Sequence, residues 1–326
     1  MKLASLQIIS DLQPIPGADK IEVATVLGYK TVVKKGEFKI GDQCIWHEPD
    51  TIVPDLPEYE FLRQHGFRLR AARFRGQFSQ GLALPATALN NQLPIGADLT
   101  EMVGITKYEK PVPQSLAGQI KGHFPSWLIK TDEPNLCSFP EAFQEFVGLD
   151  VVVTLKIDGT SGTYYFKDGE FGVCSRNLDL LETADNSFWR IARQLGLEDK
   201  MRAQGLNRAI QGEVYGEGIQ GNSLGIRGKG FAAFNLFDID NHSYSLSTGW
   251  ILHMGIPMVP IFYAGPFKWS TLQELVSLAN AASYANGHAA EGLVIRPIIE
   301  KHSNVLESGR LSVKVVSEEY ALKHGE

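Results

Sequence analysis

The sequence predicts an α+β protein with two domains: a small β barrel or sandwich over residues 1–106, then a mixed domain of strands and helices over residues 127–326. With 326 residues, 44% of them hydrophobic, the chain can build two cores. Short apolar runs alternate with turn residues up to about residue 105, and longer helical patterns appear only after residue 127. Residues 107–126 contain five prolines and glycines and little periodicity, which is typical of a connection between domains.

In the first domain, turn residues recur at the spacing expected for short strands. They are Pro14–Gly17, Gly28, Gly36, Gly41-Asp42, Pro49-Asp50, Gly66, Gly76 and Gly96. In the second domain, apolar periodicity predicts both element types. The predicted helices are Pro140–Phe146, Asn186–Ala203 and Leu272–Ala285, and the predicted strands are Val151–Leu155, Thr163–Phe166, Gly212–Tyr215, Phe231–Asp238 and Gly292–Arg296.

Composition limits the class of protein. The net charge of -6 and pI near 5.8 argue against a general polyanion-coating protein, so any nucleic-acid surface must be local. The three cysteines, Cys44, Cys137 and Cys174, form neither a CxxC pair nor a disulfide framework, which favours a reducing compartment. No signal-peptide pattern and no run of 18 apolar residues occurs. We therefore expect a soluble cytoplasmic protein, or a nuclear one if it is eukaryotic, with no membrane partner.

The segment Lys156-Ile157-Asp158-Gly159-Thr160 ends an apolar strand and has the residues of a nucleophilic site. A free lysine has a pKa of about 10.4 and is protonated at neutral pH, so burial or a nearby cation must favour its neutral form. Asp158 has a carboxylate suited to such a cation, and Gly159 allows close backbone approach. Alone, the segment also fits a β-turn with a solvated lysine.

Further residues follow this segment in a fixed order. They are Arg176 in Ser-Arg-Asn, Glu213 in Gly-Glu-Val-Tyr-Gly, Phe234 and Asp238 in one apolar strand, Glu291 in Glu-Gly-Leu-Val-Ile-Arg, and Lys314. This ordered set resembles the nucleotidyltransferase motifs shared by ATP-dependent DNA ligases, RNA ligases and mRNA capping enzymes, which implies a ligase-type, ATP-grasp-like second domain. Singly, Arg176 also fits a surface arginine, Phe234 a core residue and Glu213 a structural carboxylate.

The resemblance implies that Lys156 attacks the α-phosphate of ATP and becomes lysyl-AMP. It implies that Arg176 contacts the AMP ribose or phosphate, that Phe234 stacks on adenine and that Lys314 holds the α-phosphate. Asp158, Glu213 and Glu291 would position the waters of Mg2+ or Mn2+. ATP and a divalent metal are thus the expected cofactors, with Lys156, Arg176, Glu213, Phe234, Glu291 and Lys314 around the nucleotide.

Two observations favour the RNA ligase branch of this superfamily. DNA ligases and capping enzymes usually have an OB domain after the last motif, whereas this sequence has 12 residues after Lys314. It also has Thr160-Ser161 where those branches typically have an arginine two residues after the aspartate. The expected substrate is nicked or broken RNA, including RNA/DNA hybrids, and the expected state is a monomer. A DNA ligase, another AMP-transferring enzyme and a catalytically degenerate nucleic-acid-binding protein remain alternatives.

The N-terminal part is similar to the OB domain of Deinococcus- and Naegleria-type RNA ligases. The similar segments are residues 17–22, 33–38 and 73–82. Residues 61–97 also hold five arginines and no acidic residue. We predict that a bulge at Ala71-Ala72 places four of them, Arg68, Arg70, Arg73 and Arg75, on one strand face that follows nucleic-acid phosphates. A solvated strand is the alternative.

The sequence departs from this ligase type at two positions. Relatives often have a second lysine two residues before Lys314, where this chain has Ser312, with Arg310 nearby as a substitute. Relatives often have arginine at the position of Asn135. Both departures concern the handling of the phosphates.

Overall fold

The structure is a computed structural model that describes residues 2–87, 93–109, 118–245 and 249–325. Its first part contains many short strands, as predicted from the turn residues. They are Ala4–Ile8 (β1), Asp11–Pro14 (β2), Ile21–Val26 (β3), Tyr29–Lys34 (β4), Gln43–His47 (β5), Thr51–Ile52 (β6), Arg68–Leu69 (β7), Ala72–Phe74 (β8), Gln77–Ser79 (β9), Leu82–Pro85 (β10) and Thr106–Lys107 (β11), with a 3-10 helix at Pro57–His65 and helix α1 at Thr100–Val103. They pair as β1-β5-β10, β2-β3-β4, β11-β6-β7 and β8-β9. In the described residues these small sheets do not join into one closed barrel.

The second part contains two antiparallel sheets and five helices within the described ranges. The strands are Ile120–His123 (β12), Asp150–Lys156 (β13), Thr160–Lys167 (β14), Glu170–Cys174 (β15), Leu178–Leu180 (β16), Arg208–Gly216 (β17), Lys229–Asp238 (β18), Ser243–Tyr244 (β19), Ile261–Pro266 (β20), Gly292–Pro297 (β21) and Val313–Val316 (β22). The α-helices are Ser187–Gln194 (α2), Leu197–Gln204 (α3), Gly249–His253 (α4), Leu272–Ala281 (α5) and Glu318–His324 (α6), and 3-10 helices lie at Leu136–Ser138 and Pro140–Phe146. The predicted α+β class is confirmed. None of the helices in the described ranges is long and apolar enough to cross a membrane.

Strand β13 lies at the centre of the four-stranded sheet, whose order is β20-β13-β21-β22. Its alternating pattern buries Val151, Val153 and Leu155 in the main core, and full burial of each such side chain stabilises the fold by about 1.5–3 kcal/mol. The intervening residues, including Lys156, face the other way. The seven-stranded sheet, β12-β16-β15-β14-β17-β18-β19, packs α2 and α3 on one face. Its other face contributes Tyr215, Ala232 and Phe234 to the main core.

Three predicted boundaries differ from the structure. The helix predicted at 186–203 is two helices, because Gly196 adopts a left-handed φ of 60° between α2 and α3. The helix predicted at 272–285 ends at Ala281, although Thr271 caps it as expected. Within the predicted connection at 107–126, residues 120–123 form β12 and pair with β16, so they belong to the seven-stranded sheet. Residues 110–117 lie outside the described residues, and the domain division as a whole stays a prediction.

Buried contacts join the two parts of the chain. The Gly28 N–H donates to the Cys137 carbonyl at 2.9 Å, and a Cβ atom at Gly28 would lie 2.7 Å from Cys137 Cα. The Ser138 hydroxyl donates to Glu48 Oε2 at 2.9 Å and lies 2.8 Å from the Tyr29 hydroxyl. Only glycine fits at position 28, because the first domain packs tightly against the 3-10 helix that begins at Leu136.

His47 should make folding sensitive to acid. Its Nδ1 donates to the Leu82 carbonyl at 3.2 Å, so Nε2 accepts from the Tyr59 hydroxyl at 2.8 Å, and burial lowers the pKa of His47 to about 4. In the unfolded chain the histidine takes up a proton near pH 6.5, whereas the folded chain keeps it neutral. The free energy of unfolding should therefore fall by about 2 kcal/mol between pH 7 and pH 5. Urea denaturation at both pH values measures the loss. The variant His47→Gln should lose less over this interval, and an equal loss in both proteins would contradict the assignment.

Candidate active site

Lys156 ends β13 on the face opposite to the core. The register pairs Lys156 with Gly292, and it pairs Thr154 with Val294 and Val294 with Lys314. Because alternate residues of a strand share a face, Lys156 and Lys314 project from the same side of the sheet. Gly292 is required opposite Lys156: a Cβ atom there would lie 2.1 Å from the Val315 carbonyl oxygen. The two predicted lysines therefore lie on the same face of the four-stranded sheet.

Glu291 immediately precedes β21 and faces Lys156. The Lys156 Nζ lies 2.6 Å from Glu291 Oε1, and the side chains keep 23% and 5% of their surface exposed. Because little water reaches this ion pair, each group relies on the other to compensate its charge. The pair therefore fixes the orientation of both side chains. The pairing of β13 with β21 thus brings together the predicted nucleophile and a predicted metal-positioning carboxylate.

The turn after Lys156 is held from several directions. The Ser223 hydroxyl donates to Asp158 Oδ2 at 2.5 Å, and the Tyr320 hydroxyl donates to Oδ1 at 3.3 Å. Asp158 itself is 1% exposed. At the next position, a Cβ atom on Gly159 would lie 2.8 Å from the Cγ of Glu213, so glycine allows Glu213 to approach the turn.

Glu213 lies in β17 and is partly buried. Burial, with a smaller effect from the nearby carboxylates of Glu291 and Asp158, raises the pKa of Glu213 to about 8, although Lys156 and Arg176 act in the opposite direction. The carboxyl groups of Asp158, Glu213 and Glu291 therefore lie close enough to influence one another electrostatically.

The donor set of this pocket fits a hard divalent cation. Carboxylate oxygens are the protein ligands that Mg2+ and Mn2+ prefer, and a cation beside Glu213 would favour its charged form against the effect of burial, which raises its pKa. Among the residues that the structure describes, no group of three or more acidic, histidine or cysteine side chains is arranged for direct metal binding.

Phe234 is placed by a β-bulge. Gln211 pairs with Asn235 and Gly212 with Ala233, so Phe234 is an extra residue in β18. Its ring packs against the main core and lies 5.6 Å from the Arg296 Cζ. Arg296 lies on the same face of β21 as Gly292 and Val294, which pair with Lys156 and Lys314, so the contact with Arg296 places Phe234 over the face that carries both lysines.

The two departures from the ligase pattern have structural explanations. Ser312 is buried and accepts a hydrogen bond from Arg296 Nε at 2.8 Å. This bond helps to hold the Arg296 side chain against the Phe234 ring. Arg310 is bound to Glu300 and stacks over the Tyr244 ring at 3.6 Å. Asn135 uses its Oδ1 to cap the 3-10 helix at Leu136–Ser138. Arg310 and Asn135 therefore have structural partners.

Arg176 lies outside regular structure, just beyond β15, and its guanidinium pairs with Asp132 at 2.9 Å. The two side chains are 59% and 51% exposed. Such an exposed pair contributes little to stability, so Arg176 can turn towards a bound anion.

The prediction of one arginine face is wrong. Arg68 lies in β7 and Arg73 in β8, which belong to different sheets, because Ala71 packs against Phe78 and Ala321 and turns the chain. Arg68 is partly buried: it pairs with Asp50 at 2.5 Å and donates to the His324 carbonyl at 3.1 Å. Arg70, Arg73 and Arg75 are exposed. The surface available to a ligand thus contains three of the four arginines.

Three hydroxyl groups at the site are not among the residues predicted from the sequence. Ser223 and Tyr320 hold the Asp158 carboxylate, and the Tyr284 hydroxyl lies 2.9 Å from the Asp158 nitrogen. Ser223 follows a glycine-rich stretch after Glu213, but a serine in such a stretch usually indicates only a loop. Tyr284 and Tyr320 belong to none of the recognised motifs, so folding alone brings them to the site.

Comparisons with known proteins agree with this geometry. The RNA ligase family model matches residues 149–316, more than half of the chain, and an OB-fold domain model matches residues 3–86. A mutant of Naegleria gruberi RNA ligase without ligand is 35% identical, with a TM-score of 0.89 over 99% of each chain. A mutant of that enzyme with ATP and Mn gives the same values, and its structure with PPi gives a TM-score of 0.88 at 34% identity over 99% of each chain. A comparison with curated proteins found no match.

Proposed function

Because the chain belongs to the RNA ligase family, we propose that it joins 3'-OH and 5'-phosphate ends of RNA using ATP, with Lys156 as the residue that carries AMP. The reaction has three steps: Lys156 takes AMP from ATP, AMP passes to the RNA 5'-phosphate, and the 3'-OH displaces AMP. The observation that carries this proposal is the convergence of Lys156, Glu291, Asp158 and Glu213 in one pocket between two sheets.

In the first step the Lys156 nitrogen forms a bond to the α-phosphorus, and the bond from that phosphorus to pyrophosphate breaks. The ammonium must first lose a proton, and Glu291 Oε1, at 2.6 Å, is at hydrogen-bond distance to receive it. Burial of the pair excludes the water that would otherwise stabilise the charged amine. Lys314, which lies on the same face of the sheet, would hold the phosphate that is attacked.

Asp158, Glu213 and Glu291 would hold a divalent cation through its waters. Such an ion supplies positive charge that offsets the developing phosphate charge and favours the neutral form of Lys156. Phe234, turned inward by its bulge, offers an aromatic face for adenine, and the exposed Arg176 is free to reach the ribose or phosphate.

The nucleic acid is assigned to the hairpin formed by β8 and β9. Its tip carries Arg73, Phe74 and Arg75, all exposed, and Phe74 keeps 46% of its surface in solvent. Phe78 and Ala71 pack the base of the hairpin against Ala321 of α6. The guanidinium groups suit phosphates, and the Phe74 ring suits stacking on an unpaired or end base. The hairpin is thus anchored beside the helix whose Tyr320 contacts Asp158.

Removing the exposed arginines should weaken binding of a nicked RNA duplex in a salt-dependent way. In the triple variant Arg70→Ala, Arg73→Ala and Arg75→Ala, the slope of log K against log salt should become shallower by roughly 0.9 per lost phosphate contact. Phe74→Ala should instead lower affinity with little change in slope, because stacking releases no counterions. Binding titrations at several salt concentrations measure both quantities.

Arg63→Ala is the matched control, since Arg63 pairs with Asp55 and Glu60 outside the hairpin and should leave the slope unchanged. Lysyl-AMP formation without RNA should also be unaffected in the triple variant. Equal slopes and affinities in wild type and the triple variant would show that the substrate is held elsewhere.

RNA is the substrate class, and we propose that RNA/DNA hybrid duplexes are accepted as well. Sealing assays on all-RNA, all-DNA and mixed nicks test this directly, and equal sealing of an all-DNA nick would favour a DNA ligase. A monomer in a reducing compartment such as the cytoplasm is consistent with three buried free thiols at Cys44, Cys137 and Cys174.

A further inference from the structure

One buried hydroxyl group joins the two catalytic segments of the chain. The Tyr284 hydroxyl donates to the Lys156 carbonyl at 2.8 Å and accepts the N–H groups of Asp158 at 2.9 Å and Glu291 at 3.2 Å. A phenol has one proton to donate and two lone pairs to accept with, so these contacts use its full capacity. The side chain is 5% exposed.

The Tyr284 hydroxyl lies at the end of the ladder between β13 and β21, where its contacts hold the backbone at Asp158 and Glu291. The ladder between β13 and β21 ends at the pair Lys156 and Gly292, so the N–H groups of Asp158 and Glu291 lie just beyond its end. Tyr284 accepts hydrogen bonds from them and fixes the turn at Asp158 relative to the residue that carries the Glu291 carboxylate.

We propose that Tyr284 is a positioning residue that sets the distance between the Lys156 amine and the Glu291 carboxylate during AMP transfer. The proposal rests on the proposed function, because it assigns Tyr284 to the step in which Lys156 attacks ATP. The hydroxyl touches neither substrate nor metal in this role. It holds the backbone from which both reacting side chains extend, and a misplacement of about 1 Å in such a frame slows a reaction by about 100-fold.

The test is Tyr284→Phe, which keeps the ring and removes the oxygen. In single-turnover experiments with labelled ATP and Mn2+, the rate constant for lysyl-AMP formation should fall by about 100-fold, while the ATP concentration for half-maximal rate should change little. Sealing of a pre-adenylylated nick, which does not require attack by Lys156, should fall much less. Tyr263→Phe is the matched control, because it removes a hydroxyl that donates to the Pro266 carbonyl on β20 of the same sheet.

Two outcomes would overturn the proposal. If Tyr284 only stabilised the fold, the variant would show fewer active molecules, and so a smaller amplitude, with the wild-type rate constant. If the variant did not fold at all, Tyr284 would be a structural residue. Absence of lysyl-AMP in the wild-type protein would instead contradict the proposed function, so the two failures are distinguishable.

Discussion

Replacing Lys156 with alanine is expected to abolish lysyl-AMP formation and ATP-dependent sealing. The reason is chemical: the attacking nitrogen disappears, and Lys314 on the same face is proposed to hold the phosphate and not to attack it. Gel analysis after incubation with labelled ATP and Mn2+ measures the adduct. Lys301→Ala, which removes an exposed lysine of the same domain, should behave like the wild type.

The same Lys156→Ala variant should still seal a pre-adenylylated nick to a measurable extent. In that substrate the AMP is already on the 5'-phosphate, so only the pocket that positions the 3'-OH and the metal is required. Loss of this activity together with a normal fold would show that Lys156 also acts in the final step. Full adduct yield in the variant would reject Lys156 as the nucleophile.

The three carboxylates should have the second-largest effect. Asp158→Ala, Glu213→Ala and Glu291→Ala should each slow lysyl-AMP formation by roughly 100-fold or more, because each removes part of a preorganised charge arrangement. The effects should not multiply in double variants, since the residues act on one cation. Single-turnover rates over a series of Mn2+ concentrations measure both the rate and the metal requirement.

Asp199→Ala, which removes an exposed carboxylate on α3, is the control and should leave both quantities unchanged. Glu291→Ala should differ from the other two, because it also releases the Lys156 ammonium from its 2.6 Å partner. Unchanged rates and metal dependence in all three variants would remove the proposed metal site.

The RNA ligase family and the α+β class were predictable because their signals are local or ordered along the chain. The apolar alternation before Lys156 predicts a strand, and the structure places β13 there. The motif order then brings Glu291 beside Lys156, because β13 and β21 are neighbours. Gly196, by contrast, is visible in the sequence as a glycine, but the prediction placed it inside one helix, whereas its left-handed backbone separates two helices.

Other features depend on tertiary contacts that periodicity does not record. The bulge at Phe234 adds one residue to β18 without any turn residue to mark it. Arg68 is drawn into a buried contact with Asp50 and the end of α6, so its role could not follow from charge spacing. Tyr284 lies outside the motifs, and only folding places its hydroxyl between Lys156 and Glu291.

The most direct test of the account is to incubate the wild-type protein with ATP labelled at the α-phosphate and Mn2+, and then to map the label by mass spectrometry. We expect an acid-stable protein-AMP adduct on a single peptide, with the added mass on the Lys156 side chain. Label on another residue, or no covalent label in a folded protein supplied with metal, would contradict it.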